Sequence, residues 1–263
     1  MKAWRLILDG PEDGAWNMAV DRAVLRARER GEVPPTVRLY RWIRPTVTLG
    51  RNQSLDDVDV VACRDRGFDV VRRPTGGRGV LHDDELTYSV VASVDDGIPR
   101  GVAASYRVLC GVLVEVYQSL GVPATLTGRA HGDKAAGACY LHTTSADLSF
   151  GVAKLSGSAQ VWDRNAVLQH GSFVRSRDVD AEAQVFRLDD RAQARLKDST
   201  ATLGGVLGQA PTLEDITRAV RSAFGTVLGV TLEPGELTEL ERAEATLDTG
   251  TFRIPGVEPS GST

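Results

Sequence analysis

The residues best equipped for chemistry are a thiol and an amine. Cys139 stands fifteen residues before Lys154 in the stretch GACYLHTTSADLSFGVAKLSGSAQ. Cysteine is the side chain best suited to form a thioester, and a neighbouring cation enriches a thiol in its reactive thiolate. The pair suits acyl transfer, with Cys139 as the carrier. Three tasks are open to Lys154. It can stabilise the thiolate, hold an acyl carbonyl oxygen, or take a proton from an incoming amine if burial and a second cation lower its pKa. Directly after it, Ser156, Gly157 and Ser158 form a turn whose N–H groups can hold an oxyanion, and a second polar strand ends in Gln169-His170-Gly171-Ser172. The other cysteines carry less. Cys110 lies beside Leu109 in an apolar helix and reads as a small buried hydrophobe. Cys63 sits in the charged segment ACRDRG with no evident partner.

A second cluster is RRPTGGRG, where a strand runs into a turn carrying Arg72, Arg73, Gly76, Gly77 and Arg78. Glycines let the backbone approach a ligand closely, and arginines add bidentate capacity for carboxylate or phosphate. No GK[ST] follows, so it is not a nucleotide-phosphate loop of the Walker type. His82 follows nine residues after Arg73. His82 and His170 both read as pocket-lining residues whose imidazoles tie structure together.

These groups need elements to hold them. EDGAWNMAVDRAVLRARERGE reads as an amphipathic helix with Gly31 at its end. TVRLYRW and TVTLGR read as strands, Asp57 to Asp65 as a short helix, and GFDVVRR as the strand leading into the glycine turn. GVLHDDELTYSVVAS reads as strand, turn and strand. Gly101 to Leu120 reads as a helix with Val102, Tyr106, Leu109, Leu113, Val116, Tyr117 and Leu120 on its buried face. Residues 124 to 175 alternate short strands with polar turns. Helices are expected near Val179 to Leu188, after the capping-box sequence Thr212-Leu213-Glu214-Asp215, and over Glu236 to Leu247. The expectation is one α+β domain over residues 1–250, a mixed, largely antiparallel sheet flanked by helices, with 251–263 as a disordered tail.

Bulk properties narrow the class. Thirty-one basic against thirty-five acidic residues give a net charge of −4, which argues against a general nucleic-acid binder. No apolar run approaches membrane-spanning length, and the opening MKAWRLILDGPEDGAW does not read as a signal peptide. Three cysteines without a CxxC argue against a disulfide framework and a structural zinc site, no metal is expected, and the reducing cytoplasm is the expected compartment.

NMAVDRAVL, YRWIRPTVTLGRNQ, RRPTGGRGVLHDDELTYSVV and KLSGSAQ…LQHGSF together resemble the lipoate/biotin protein ligase catalytic-domain family, in its order and spacing. Within it the chain looks most like the LipM-type octanoyltransferases. GGR stands at Gly76-Gly77-Arg78 where ligases typically show GGG, HDDELTYSV follows, and Cys139 matches the transferase nucleophile. The resemblance implies a catalytic domain of the biotin/lipoate protein ligase type. It implies transfer of octanoyl from octanoyl-acyl carrier protein to Cys139, then to a lysine of a lipoyl domain. Such an acceptor would be the glycine cleavage H protein or a 2-oxoacid dehydrogenase acyltransferase subunit. No cofactor is needed for that chemistry. Arg72, Arg73 and Arg78 would steer the acceptor or touch the donor's phosphopantetheine arm. The segment after the cysteine, Tyr-Leu-His-Thr-Thr-Ser-Ala-Asp, departs from the aromatic and acidic pattern usual in that group. The alternatives are a lipoate–protein ligase using ATP and Mg²⁺, an amidotransferase working between lipoyl domains, and a non-catalytic module that grips them.

Overall fold

A computed structural model describes residues 2–127, 131–132, 137–143 and 147–257. The chain opens with β1 (Lys2–Glu12), α1 (Gly14–Glu29), β2 (Thr36–Trp42) and β3 (Thr46–Leu49). Next come α2 (Val60–Asp65), β4 (Asp69–Arg72), β5 (Val80–His82), β6 (Glu85–Ser93) and α3 (Val102–Ser119). Short strands follow: β7 (Thr125–Leu126), β8 (His131–Gly132), β9 (His142–Thr143), β10 (Leu148–Phe150) and β11 (Ala153–Ser156). Then β12 (Ser158–Asp163) and β13 (Ala166–Val174) lead to α4 (Val179–Val185), α5 (Asp190–Ser199), α6 (Leu203–Leu207) and α7 (Leu213–Leu228). The last elements are β14 (Val230–Pro234) and α8 (Glu239–Phe252).

Six strands form the main sheet in the order β12-β13-β6-β2-β1-β14. It is antiparallel from β12 to β2 and parallel across β2, β1 and β14. Alternation along β2 assigns its faces. Val37 and Leu39 join the cluster of α3 and α7, which includes Leu113, Val116 and Phe224. Tyr40 and Trp42 point to the opposite face, under α1 and α8. A second sheet, β4-β3-β5, packs with α2, α4 and α5 around Val47, Leu49 and Phe186. A third, β11-β10-β7, carries Lys154.

Sequence periodicity places α1, α3 and α7 well, and the Thr212–Asp215 capping box forms as expected. On α3, Val102 is exposed, at the first position of the helix. The strands β1 and β14 carry no sequence signal of the kind used above. Trp4, Arg5, Leu6 and Ile7 are all buried, so β1 lacks the alternation of a half-exposed strand. Its Arg5 is held by Glu241 at 2.8 and 2.6 Å. Helix α8 starts later and runs further than expected. Thr238 caps it reciprocally with Glu241, and it continues to Phe252, which is buried beneath Arg22. The domain therefore passes the expected boundary at residue 250: Arg253 bridges Val71, and Ile254 and Val257 pack on the second sheet's core. Residues 258–263 of the expected tail lie outside the described residues.

Candidate active site

Lys154 lies on β11, paired across to β10 at Ser149, with a register shift between Leu148 and Ser149. Asp147 immediately precedes β10, and its carbonyl is tied down by the Thr127 N–H and hydroxyl, both at 2.9 Å. This places the Asp147 carboxylate 2.9 Å from the Lys154 ammonium, with each residue only 2% exposed. Cys139 comes from a separate loop. Its N–H donates to the Gly79 carbonyl at 2.8 Å, and the Gly79 N–H donates to Gly137 at 2.9 Å. The chain just past the GGR turn thus holds the cysteine loop in place. From there Cys139 meets Lys154, whose Nζ lies 3.2 Å from its carbonyl oxygen and 3.7 Å from Sγ. Tyr140 fixes the next position, its ring under Arg177 at 3.5 Å and facing Lys154 Nζ at 5.3 Å.

The electrostatics bear on the resting state of Lys154. Burial alone would lower the Lys154 pKa, but negative charge at Cys139 and Asp147 outweighs it, and the pKa is raised. In the resting site Lys154 is an ammonium, held by Asp147 and the Cys139 carbonyl among others. Gly157 leaves room for it. A Cβ there would lie 3.3 Å from Lys154 Nζ and 3.4 Å from the Asp147 carboxylate.

Arg73 organises another part of the wall. It is 5% exposed, and its guanidinium donates to the Thr48 carbonyl at 3.0 Å, the Gly76 carbonyl at 2.7 Å and the Arg78 carbonyl at 2.8 Å. It pins the glycine turn, in which Gly77 adopts a φ of +97° that favours glycine. Two relays leave this guanidinium. Nη1 reaches the Thr48 hydroxyl, which meets His82 Nε2 at 2.9 Å, and His82 Nδ1 meets Glu85 at 2.7 Å. Nε reaches the Thr75 hydroxyl, which meets His170 Nε2 at 2.7 Å, and His170 Nδ1 meets Asp21 at 3.3 Å. Burial raises the pKa of both carboxylates, but their partners win and hold them below the usual range: His82 with Ser172 and Thr87 at Glu85, His170 with Arg38 and Ser89 at Asp21. Ionised carboxylates only accept, so each histidine donates from Nδ1, and His170, kept neutral by burial, accepts the Thr75 hydroxyl at Nε2. The imidazoles are therefore committed to holding the walls.

Two predictions arise here. Arg73→Lys keeps the charge but loses the planar fork, so unfolding free energy should fall by on the order of 3 kcal/mol in urea melts, with Arg72→Lys affecting it less. His170 has its pKa lowered, chiefly by burial and further by Arg73 and His82, against the opposing pull of Asp21. The folded protein refuses a proton that the unfolded chain accepts below its ordinary value of 6.5. Stability is therefore complete above that value and is lost as pH falls through 6.5 toward the folded pKa, by up to about 1.4 kcal/mol per pH unit. Urea midpoints at pH 7.5 and 5.5 should separate more for the native chain than for His170→Gln.

These walls enclose a cavity of about 440 Å³. Cys139, Lys154, Asp147 and Gly157 line one part, and Met18, Trp42 and Val80 give it an apolar part. Of the residues singled out from sequence, Arg73, Gly77, Arg78, His82, Ser158 and His170 also line it. Arg78 is partly exposed there, 3.8 Å from Asp57. Arg72, Gly76 and Ser156 are not among the lining residues. Arg72 Nη1 donates to the Gly50 and Gln53 carbonyls, and the Ser156 hydroxyl to the Ser172 carbonyl at 2.9 Å. The bidentate anion-binding role expected of Arg72 and Arg73 is thus occupied in large part by the protein's own loop carbonyls. Sequence reasoning missed Asp147, Trp42, Met18 and Tyr140. For Asp147 the available signal was its place seven residues before Lys154, in a segment short enough to fold back as a hairpin.

A thiol facing a buried ammonium, at one side of a largely apolar cavity on this mixed sheet, is the geometry against which the relatives are compared. Residues 13–225 match the family model of the lipoyl protein ligase A/B catalytic domain, and the chain belongs to that family. Octanoyltransferase LipM of Symbiobacterium thermophilum is 41% identical over 254 residues, covering 92% of each chain. Octanoyltransferase LipM of Staphylococcus aureus is 33% identical over 257 residues, covering 92% of this chain and 93% of that protein. By this likeness the chain is an enzyme of the acyltransferase class. A lipoate-protein ligase A bound with ATP has the same fold, with TM-score 0.79 at 24% identity over 95% of each chain. So has the putative lipoate protein ligase Ta0514 of T. acidophilum with bound lipoic acid, at TM-score 0.77 and 24% identity over 94% of each chain. Among the described residues no helix is long and apolar enough to cross a membrane.

Proposed function

We propose that this protein transfers an octanoyl group from octanoyl-acyl carrier protein to a lysine of a lipoyl domain, with Cys139 as the covalent carrier. The observation that carries the reading is Cys139 Sγ lying 3.7 Å from the buried ammonium of Lys154, beside an apolar cavity. In the first half, the Cys139 sulfur attacks the donor thioester carbon. The bond to the phosphopantetheine sulfur breaks, that sulfur leaves as a thiol, and its proton replaces the one given up by Cys139. In the second half, the neutral amine of the acceptor lysine attacks the acyl-enzyme carbon. The amide forms, the C–S bond of Cys139 breaks, and the nitrogen's surplus proton balances the restored thiol. Lys154 stays an ammonium throughout and meets negative charge on sulfur or on the tetrahedral oxygen. Asp147 holds it in place. The donor is already activated, so the reaction needs no ATP, metal or other cofactor.

The acceptor is a lipoyl domain such as that of the glycine cleavage H protein or a 2-oxoacid dehydrogenase acyltransferase subunit. The relatives' name supports octanoyl as the group transferred. The test is to incubate the protein with octanoyl-acyl carrier protein and a purified lipoyl domain without nucleotide. The lipoyl domain should gain one octanoyl mass. Modification only with free octanoate and ATP would overturn the reading in favour of a ligase.

A further inference from the structure

Resting on the acyl-transfer reading, we propose that Met18 on α1 is the floor of the acyl slot and sets the length of chain the enzyme accepts. The sheet fixes where the two ends of the cavity lie. Gly157, against Lys154, immediately precedes Ser158, which pairs with Gly171 on β13. The next residue of β13, Ser172, pairs with Thr87 on β6, and Thr87 pairs with Tyr40 on β2. The row from Gly157 to Tyr40 crosses three strand spacings, about 14 Å.

Trp42 closes the far side. It lies two residues beyond Tyr40 on the same face, and its Nε1 donates to the Thr87 hydroxyl at 2.8 Å. Helix α1 is anchored at this end, because a Cβ on Gly14 would lie 3.4 Å from the Trp42 ring. Met18 is four residues on, so it projects from the same face of α1 one turn along. It is buried, belongs to the core cluster of Trp42, and lines the cavity. A chain whose thioester carbon sits between Cys139 and Lys154 therefore runs along the Gly157–Tyr40 row and ends against this side chain. Methionine is unbranched and flexible, so its length rather than its shape sets the stop.

The test uses the intact protein and acyl-phosphopantetheine thioesters of six, eight, ten and twelve carbons in competition, read by intact mass as adducts on the enzyme. The native chain should label fastest with eight carbons. Met18→Ala removes about three heavy atoms, the room of two methylenes, so the ten-to-eight rate ratio should rise about tenfold or more. Met18→Phe should reverse the direction and favour six carbons by a similar factor. Met18→Leu, close in volume, should keep the eight-carbon preference. Folding of each variant is checked by circular dichroism, and the opposite substitutions are read separately, so either one alone tests the floor. Unchanged preference for eight carbons in the folded Ala or Phe variant overturns the inference. Absence of any adduct on the native chain instead overturns the thioester reading beneath it.

Discussion

Replacing Cys139 by serine should lower octanoyl transfer at least about 10³-fold while leaving the fold intact. The oxygen is a similar size but far less ionised at neutral pH, so it neither attacks the donor thioester nor leaves readily in the second half. The loop tolerates the change because its anchors are main-chain: the Cys139 N–H on Gly79 and the Gly79 N–H on Gly137. Cys110 and Cys63 do not substitute. Burial pushes each of their thiols up to about 12, so neither holds a thiolate at neutral pH. Thermal melts matching the native chain, together with loss of transfer to the lipoyl domain, would fit the account. Transfer within tenfold of the native rate in Cys139→Ser would place the chemistry elsewhere.

Lys154→Met should cost about 10²–10³ in kcat, the usual effect of losing one donor to a developing oxyanion, with a smaller effect on donor KM. It should also destabilise the protein by about 3–5 kcal/mol, because Asp147 keeps its buried charge while losing its ion-pair partner at 2.9 Å. The double variant Lys154→Met, Asp147→Asn separates the effects. It removes the buried carboxylate charge as well, so much of the stability returns, while activity stays low. Urea melts and single-turnover transfer on the three proteins read the two quantities independently. Recovery of activity in the double variant would show that Lys154 acts only through stability. The raised Lys154 pKa adds a constraint on pH behaviour. A group held as an ammonium beyond its ordinary value of 10.5 keeps its contribution through neutral and mildly alkaline pH and loses it only above that value.

That Cys139 and Lys154 belong to one site was legible because their residue types are informative by themselves: a cysteine in a Gly/Ala-rich loop and a lysine shortly before a Ser/Gly turn, and the structure brings the two together. Asp147 was not, since an aspartate in TTSADLSF looks like any solvated loop carboxylate. Only the β10–β11 hairpin and the tie from Thr127 turn it inward. The arginines of RRPTGGRG show the opposite difficulty. Their number points to an anion, yet Arg73 is largely occupied by one carbonyl of β3 and two of the glycine turn, brought together by β3 and β4 lying side by side. Helices with a continuous apolar face, such as α3 and α7, were legible from local periodicity. Strand β1 was not, because both its faces are buried and its Arg5 is balanced by Glu241, more than two hundred residues away in sequence. The floor at Met18 is invisible for the same reason, since a methionine on an apolar helix face looks like ordinary core until the sheet beneath it is known.

The most direct measurement is intact mass spectrometry of the native chain mixed with octanoyl-acyl carrier protein alone, without nucleotide or acceptor. The expected result is a single octanoyl adduct that hydroxylamine removes, that maps to the peptide containing Cys139, and that disappears when a lipoyl domain is added. A native chain that never gains the octanoyl mass, while the lipoyl domain is still modified when both are present, would contradict the covalent carrier.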